Sequence, residues 1–565
     1  CHGCHHPVLL TNFSNWFCRY FANVDSEVVF NRKAKYLCCW PMAKYLRNEH
    51  KGHKHIELPE GDPPRLTGPF GKWFKTRLVA YCKKNTSLFY SWYHVKRCAL
   101  PFSDQCVWSE FEKHKKILSS EDPFSFLRPN ELGHELRYIQ DEIRVLRESL
   151  QGLKMHDDFL PSRSASLESS RDQGGQRNTI SSLYGALAEE DLFAGILTDR
   201  DGALVGSSTF ELLGMQYRPY VLLNHTIVYN AVFEERRPLT HFHDPRSSWK
   251  ISAASFNSDL YLSARIEAVL EPLKCRIISK GPAVDYFACK RIQDCLHGAL
   301  RKMPIFRLVG QPVTGDMLLD LEHDRGDYYI SGDYSAATDK SSGILGLAIL
   351  RAIVSEHYVT DYLNGRKRLL GYSPSPIGRR MSLVAERVFG FHHLNYGRRN
   401  KDTGLFDEMD CIQSRGQLMG SILSFIVLCL LNLIAYRKTA EVANLPPDAV
   451  LINGDDILFR GPFHSYETFV EVAAELGFES SLGKCYCHPT YANLNSTCFM
   501  RSINVGSGMV CCTEVPYLNA SLVFGKHKVQ VDESRGETAP SVSHWNQIVR
   551  SVPPHHGKWL WRLFC

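Results

Sequence analysis

Asn453-Gly454-Asp455-Asp456 lies between the apolar runs Ala449–Ile452 and Ile457–Phe459. Two short β-prone runs meeting at Asn-Gly specify a tight hairpin, and Gly454 suits the unusual φ that such a turn demands. The tip of this hairpin carries adjacent carboxylates, and like charges that close raise each other's pKa unless something positive sits between them. Asn-Gly-Asp-Asp also reads as a plain surface turn. The flanks argue against that, because a buried hairpin holding two uncompensated carboxylates is badly unsatisfied without cations. A second acidic cluster, Asp333 to Asp339, follows another short β-prone run, Tyr328-Tyr329-Ile330-Ser331. The fold must therefore bring strands together so that separate carboxylates share a cation.

At 565 residues the chain exceeds one ordinary core, so two or more subdomains are expected. Its 44% hydrophobic and 22% charged residues are ordinary for a globular protein, which excludes a disordered or fibrous chain. The net charge of +6 permits a polyanionic partner without requiring one. Nineteen cysteines, odd in number and scattered, point to reduced thiols rather than a disulfide scaffold. Cys1-His2-Gly3-Cys4-His5-His6 and Cys485-Tyr486-Cys487-His488 offer zinc-type ligands, but neither has a second pair at finger-like spacing. The longest oily run, Ile422 to Ala435, is short of the ~20 residues a bilayer span needs. No signal-peptide pattern opens the chain, and it begins on Cys1 rather than methionine, which weakens any targeting argument.

Residues 1–160 are aromatic and patchily basic: Arg32, Lys33, Lys35, Lys44, Arg47, Lys51 and Lys54 interleave with Tyr36, Trp40 and Tyr45. Such a stretch can hold a phosphate backbone while rings stack on bases, or it is the solvated face of a helical extension. Residues 131–153 have the periodicity of a charged amphipathic helix. Ser162 to Ser182, rich in Ser, Arg, Gln and Gly, reads as a linker or mobile loop. Farther on, the pattern predicts helices over 284–302, after Asp339, and over 382–390, 421–436 and 464–476. Strands are predicted at 326–333, around Gly454 and near 491–513. A sheet carrying helices on one side, an α+β arrangement, accommodates this order.

Asp333 and Asp455 from separate strands suit two-metal phosphoryl transfer, in which bridging carboxylates hold ions ~3.5–4 Å apart. Oxygen-only ligands suit Mg²⁺, with Mn²⁺ as a substitute. On an extended strand Lys274, Arg276 and Lys280 share one face by the two-residue period, so they can line one wall of a channel.

The ordered segments GDYSAATD (332–339), RGQLMGSILSFIVLCLLN (415–432) and NGDDILF (453–459) resemble motifs A, B and C of viral RNA-directed RNA polymerases. The resemblance is to the ourmiavirus-like (botourmiavirus) group, relatives of the narnaviruses, and runs clearly over residues 270–500. It implies that Asp333 and Asp455 are metal ligands with Asp456 as the supporting acid, and that Asp339 senses the ribose 2′-hydroxyl with Asn432 as its partner. It places Gly416, Gly420 and Ser421 in a small-residue loop that lets template and nucleotide approach, and leaves open whether Ser421 or Ser424 supplies a hydroxyl. Lys274, Arg276 and Lys280 resemble the basic motif F that steadies the triphosphate, and Lys484 resembles the motif D lysine, a general acid toward pyrophosphate. Asn493 to Phe499 resembles the next motif, near the primer end. Tyr396, Arg398, Arg399 and Lys401 are template contacts or a solvated basic loop.

The implied fold is a right hand with an antiparallel palm sheet flanked by helices. The expected divisions are an N-terminal extension (1–160), a linker (161–183), fingers (184–325 and 345–415), palm (326–344 and 416–500) and thumb (501–565). Implied partners are template and product RNA and ribonucleoside triphosphates; oligomeric state is unread. Host cytoplasm fits the resemblance, and the lack of a span leaves peripheral membrane association open. A reverse transcriptase of the intron or retroelement kind is the alternative, disfavoured by the polar pair Asp339 and Asn432. A polymerase-shaped RNA-binding protein without activity would make the ordered acids and bases mere decoration.

Overall fold

The computed structural model describes residues 7–21, 24, 26–49, 86–98, 104–126, 129–151, 153, 162–180, 197–198, 204–205, 210–212, 215–217, 262–271, 273–355, 359–361, 368–370, 375–399, 406–407, 410–481, 484–517 and 529–530. The architecture is α+β. Its centre is a four-stranded antiparallel sheet in the order Val450–Asn453, Asp456–Gly461, Tyr328–Gly332, Tyr486–His488. Ile330, Ile452, Ile457 and Phe459 on these strands are buried in the main core. The Ser424–Ala443 helix, apolar on nearly every side, is buried along most of its length, as an all-round hydrophobic helix must be. The His464–Glu475 helix packs beside it.

A second, mixed sheet holds the basic strand. Leu262–Glu271 pairs antiparallel with Lys274–Lys280 and parallel with His392–Asn395. Burial alternates strictly along Leu262–Glu271, the mark of a strand with one face on the core. Beyond the central sheet, Tyr491–Leu494, Thr497–Ile503 and Val510–Glu514 form a small antiparallel sheet.

The helices expected after residue 280 are present as Ala283–Leu300, Gly343–Val354, Arg379–Phe389, Ser424–Ala443 and His464–Glu475. The helix expected over 131–153 is broken into Pro129–Leu136 and Gln140–Ser149 by a 3₁₀ turn at Arg137–Ile139. Arg437 sits at the break: its guanidinium donates to the Tyr138 carbonyl and to both oxygens of Glu142.

The stretch expected to be a linker is docked instead. The Leu167 amide donates to the Gly281 carbonyl at 2.8 Å, and Glu168 accepts from the Ala283 amide at 3.2 Å. Glu168 thereby caps the start of the Ala283–Leu300 helix, a distant partner that the composition of the stretch does not reveal. In the N-terminal region, Trp16, Tyr90 and Tyr93 form a core with Tyr486 and Tyr491. The Tyr90 hydroxyl also donates to the Ser496 carbonyl at 2.7 Å. Tyr36 is buried and Trp40 packs against the same cluster, so these rings are packing groups rather than stacking platforms. Lys51, Lys54 and the Tyr45 side chain lie outside the described residues, as do Cys1 to His6 and Lys401.

Asp122 ties this region to the start of the Gly343–Val354 helix. Its buried carboxylate accepts from the Ser342 hydroxyl at 2.6 Å and the Gly343 amide at 2.7 Å, capping the Gly343–Val354 helix. Asp122→Ala strands these buried donors and should cost about 3 kcal/mol of stability, read from the urea midpoint of the full chain. An unchanged midpoint would show the extension to be energetically separate.

Candidate active site

The central sheet brings the two acidic segments together. Asp333 is the first residue past the Tyr328–Gly332 strand, and the pairing of Ile457 with Gly332 sets Asp456 across from it. Gly454, at φ +69°, turns the chain between the paired residues Asn453 and Asp456. The Asp333 backbone is clamped: its carbonyl accepts from the Ser481 amide at 2.9 Å and the Cys485 thiol at 2.7 Å. Burial raises the Asp455 carboxyl above its ordinary range, and the charge of Asp333 adds to this. Burial, then Asp455 and Asp333, push Asp456 up to about 7. The three carboxylates thus feel one another.

Two lysines face them. Lys484 Nζ holds both oxygens of Asp333, at 2.9 and 2.8 Å. Burial works to lower this ammonium, but Asp333 overrides it and holds Lys484 above the ordinary lysine range. Lys274 reaches solvent yet sits deep among protein groups. Burial, then Arg276 and Lys484, lower it to about 8, while its own charge acts on Asp455 and Asp339. Arg276 and Lys280 lie on the same strand face, but each has a carboxylate on the adjoining strand. Arg276 pairs with Glu271 at 2.9 Å and the nearly buried Lys280 with Glu267 at 2.5 Å. The basic trio is therefore partly neutralised, which spacing within one strand could not reveal.

The glycine loop packs tightly against two backbone carbonyls. A Cβ on Gly416 would meet the Asp339 carbonyl at 2.4 Å, and one on Gly420, at φ +152°, would meet the Ser279 carbonyl at 2.0 Å. The close approach is to protein backbone, locking this loop between the acidic turn and the basic strand. Ser421 and Ser424 are buried, and both hydroxyls donate inward, to the carbonyls of Val388 at 2.9 Å and Leu418 at 3.0 Å.

Asn432 is fully buried: its amide donates to the Gly454 carbonyl at 3.1 Å and its oxygen accepts from the Tyr334 hydroxyl at 2.8 Å. Both functions tie the hairpin turn to the other acidic segment. Asp339 lies at the edge of the cleft, its carboxyl raised to about 7 by burial, with the Thr338 hydroxyl donating to Oδ1 at 3.0 Å.

The donor set suits a hard divalent cation, since it consists of carboxylates whose mutual repulsion Lys484 and Lys274 offset only in part at Asp455 and Asp456. Among the described residues no three His, Cys, Asp or Glu side chains are drawn close enough to grip an ion. Lys484 holds both oxygens of Asp333, so an ion there must compete with it. The zinc-type run does not gather: Cys485 serves Asp333, and His488 Nδ1 accepts from the Thr490 and Tyr491 amides.

The chain is 29% identical, over 518 residues, to the RNA-dependent RNA polymerase of Ourmia melon virus (isolate Melon/Iran/VE9). The alignment covers 87% of this chain and 53% of the viral protein, so the chain spans about half the length of the curated relative it matches. Solved structures of a human picobirnavirus RNA-dependent RNA polymerase are also similar. Its insertion-loop deletion mutant gives a TM-score of 0.44 at 12% identity, over 95% of this chain and 89% of that one. The undeleted form gives 0.45 at 12% identity, over 95% and 86%. No family model matches. Among the described residues no helix is long and apolar enough to cross a membrane.

Proposed function

We propose that the chain is an RNA-directed RNA polymerase that copies a viral RNA genome by adding ribonucleotides to an RNA 3′ end. The carrying observation is the convergence of Asp333, Asp455 and Asp456 at one end of the central sheet, with Lys484 and Lys274 facing them. Asp333 and Asp455 would hold two Mg²⁺ ions, or Mn²⁺ in their place, with Asp456 in support. Those ions supply activation of the 3′-hydroxyl and neutralisation of the leaving pyrophosphate. Lys274, with Arg276 and Lys280 behind it, offsets triphosphate charge, and Lys484 is the proton donor to pyrophosphate. Asp339 accepts a hydrogen bond from the ribose 2′-hydroxyl, and an acceptor left unpaired makes the deoxy sugar costly.

Gly416, Gly420, Ser421 and Ser424 hold the loop beneath the nucleotide, and Asn432 fixes the turn that presents Asp455. A right hand follows, with fingers at 184–325 and 345–415, palm at 326–344 and 416–500, and thumb at 501–565. Template and product RNA would be held by phosphate contacts that ignore sequence, in the host cytoplasm. The test is primer extension on an RNA template with purified protein, ribo- against deoxyribonucleotides, in Mg²⁺ and in Mn²⁺. Ribonucleotide extension is expected; extension with deoxyribonucleotides alone would move the chain to the reverse transcriptases, and no extension would sink the reading.

A further inference from the structure

Asp339 has a neighbour from outside the motif-bearing region. The Asp104–Leu118 helix carries His114, whose Nε2 lies 3.7 Å from Asp339 Oδ1 and whose Nδ1 lies 2.7 Å from the Tyr396 hydroxyl. Tyr396 is fully buried, packed edge-on against Phe111 of the same helix at a centroid distance of 5.6 Å. Burial lowers the imidazole to about 4, so it is neutral at neutral pH. A neutral ring has one N–H. When the Tyr396 hydroxyl donates to Nδ1, that proton sits on Nε2 and points toward Asp339; when it donates to Cys411, the ring edge packs against Asp339 without a donor there. Thr338 holds Oδ1 from the other side at 3.0 Å, and Oδ2 has no hydrogen-bond partner among the described residues. The end of the helix is tied to the glycine loop as well, since the Leu118 carbonyl accepts from the amides of Ser414 at 2.8 Å and Arg415 at 3.1 Å.

We infer that His114, fixed by Tyr396, is a positioning residue for sugar selection, holding Asp339 so that Oδ2 meets the 2′-hydroxyl of the incoming ribonucleotide. This rests on the polymerase reading above. With Thr338 bonded to Oδ1 and the imidazole edge packed 3.7 Å from the same oxygen, rotation of the Asp339 carboxyl is restricted, so it adapts poorly to a sugar lacking the hydroxyl. Without His114, the Asp339 side chain regains rotation about χ2 and the preference for ribose weakens.

The test is the ratio of kcat/KM for a ribonucleotide to that for its 2′-deoxy analogue, in wild type, His114→Ala, His114→Gln, Tyr396→Phe and Asp339→Ala. His114→Ala should lower the ratio about tenfold, a fraction of the ~10⁴ that a site built around a hydroxyl can reach. His114→Gln, which keeps a donor, should recover part of it, and Tyr396→Phe should fall between. Affinity for the same nucleotide pair in Ca²⁺ gives a ratio that needs no turnover. An unchanged ratio in both His114→Ala and Tyr396→Phe, where Asp339→Ala loses it, overturns the inference and leaves the polymerase reading standing. A wild type without ribose preference in either assay overturns both. Should His114→Ala fail to fold, Tyr396→Phe, which removes one oxygen, decides.

Discussion

Asp455→Asn should abolish primer extension, with a loss on the order of 10³-fold or more, because a ligand to the developing charge is removed where charge stabilisation contributes most. The same substitution should leave the fold as stable as before or more so. Asp455 is buried beside like charge and its carboxyl is raised by burial and by Asp333, so its ionised form strains the folded state. The sign follows from the shift. A carboxyl raised by folding binds its proton more tightly in the folded than in the unfolded chain. Stability from such a group is therefore present at low pH and lost as pH rises from the ordinary carboxylate range through the folded value, about 7 for Asp456. In EDTA, this part of the wild-type urea midpoint should decline between pH 5 and 8. The asparagine variant should decline less, because Asp456 no longer feels its neighbour. Persistent metal-dependent synthesis by Asp455→Asn, or collapse of its fold, would contradict the assignment of Asp455.

The features legible from sequence are those written in short-range signals. The hairpin at Gly454 and the strand before Asp333 follow from apolar runs and a turn dipeptide, and the Ser424–Ala443 helix follows from its unbroken oiliness. Partners across the fold were not legible. Nothing near Asn432 indicates that its amide is spent on Gly454 and Tyr334, and nothing near Gly420 indicates that the Ser279 carbonyl presses against it. Lys280 and Arg276 meet their carboxylates only because the preceding strand runs antiparallel in one register. Asp122 and His114 were missed for the same reason, since each contacts a segment more than two hundred residues away. A lone Asp after a helix was the available hint for Asp122; for His114 there was none.

Lys484→Met should move metal binding and turnover in opposite directions. In the structure the ammonium holds both oxygens of Asp333, and any cation that Asp333 binds must compete with it for those oxygens. Removing the charge frees Asp333 and lifts a like-charged competitor from the cleft, so divalent-cation affinity should rise about tenfold, the scale of one charge interaction near a protein surface. Asp333 then lacks a counter-charge in EDTA, so the metal-free protein should lose stability at pH 8, and added Mg²⁺ should restore more of it than in wild type. Turnover should fall all the same, by about 10²-fold, if the lysine protonates pyrophosphate, because positioned acids contribute on that scale. Mg²⁺ titration by thermal shift gives the affinity and single-nucleotide incorporation at saturating Mg²⁺ gives the rate. Tighter metal binding with slower incorporation assigns Lys484 both as gatekeeper to Asp333 and as proton donor. Unchanged affinity would remove the first role, and an unchanged rate the second.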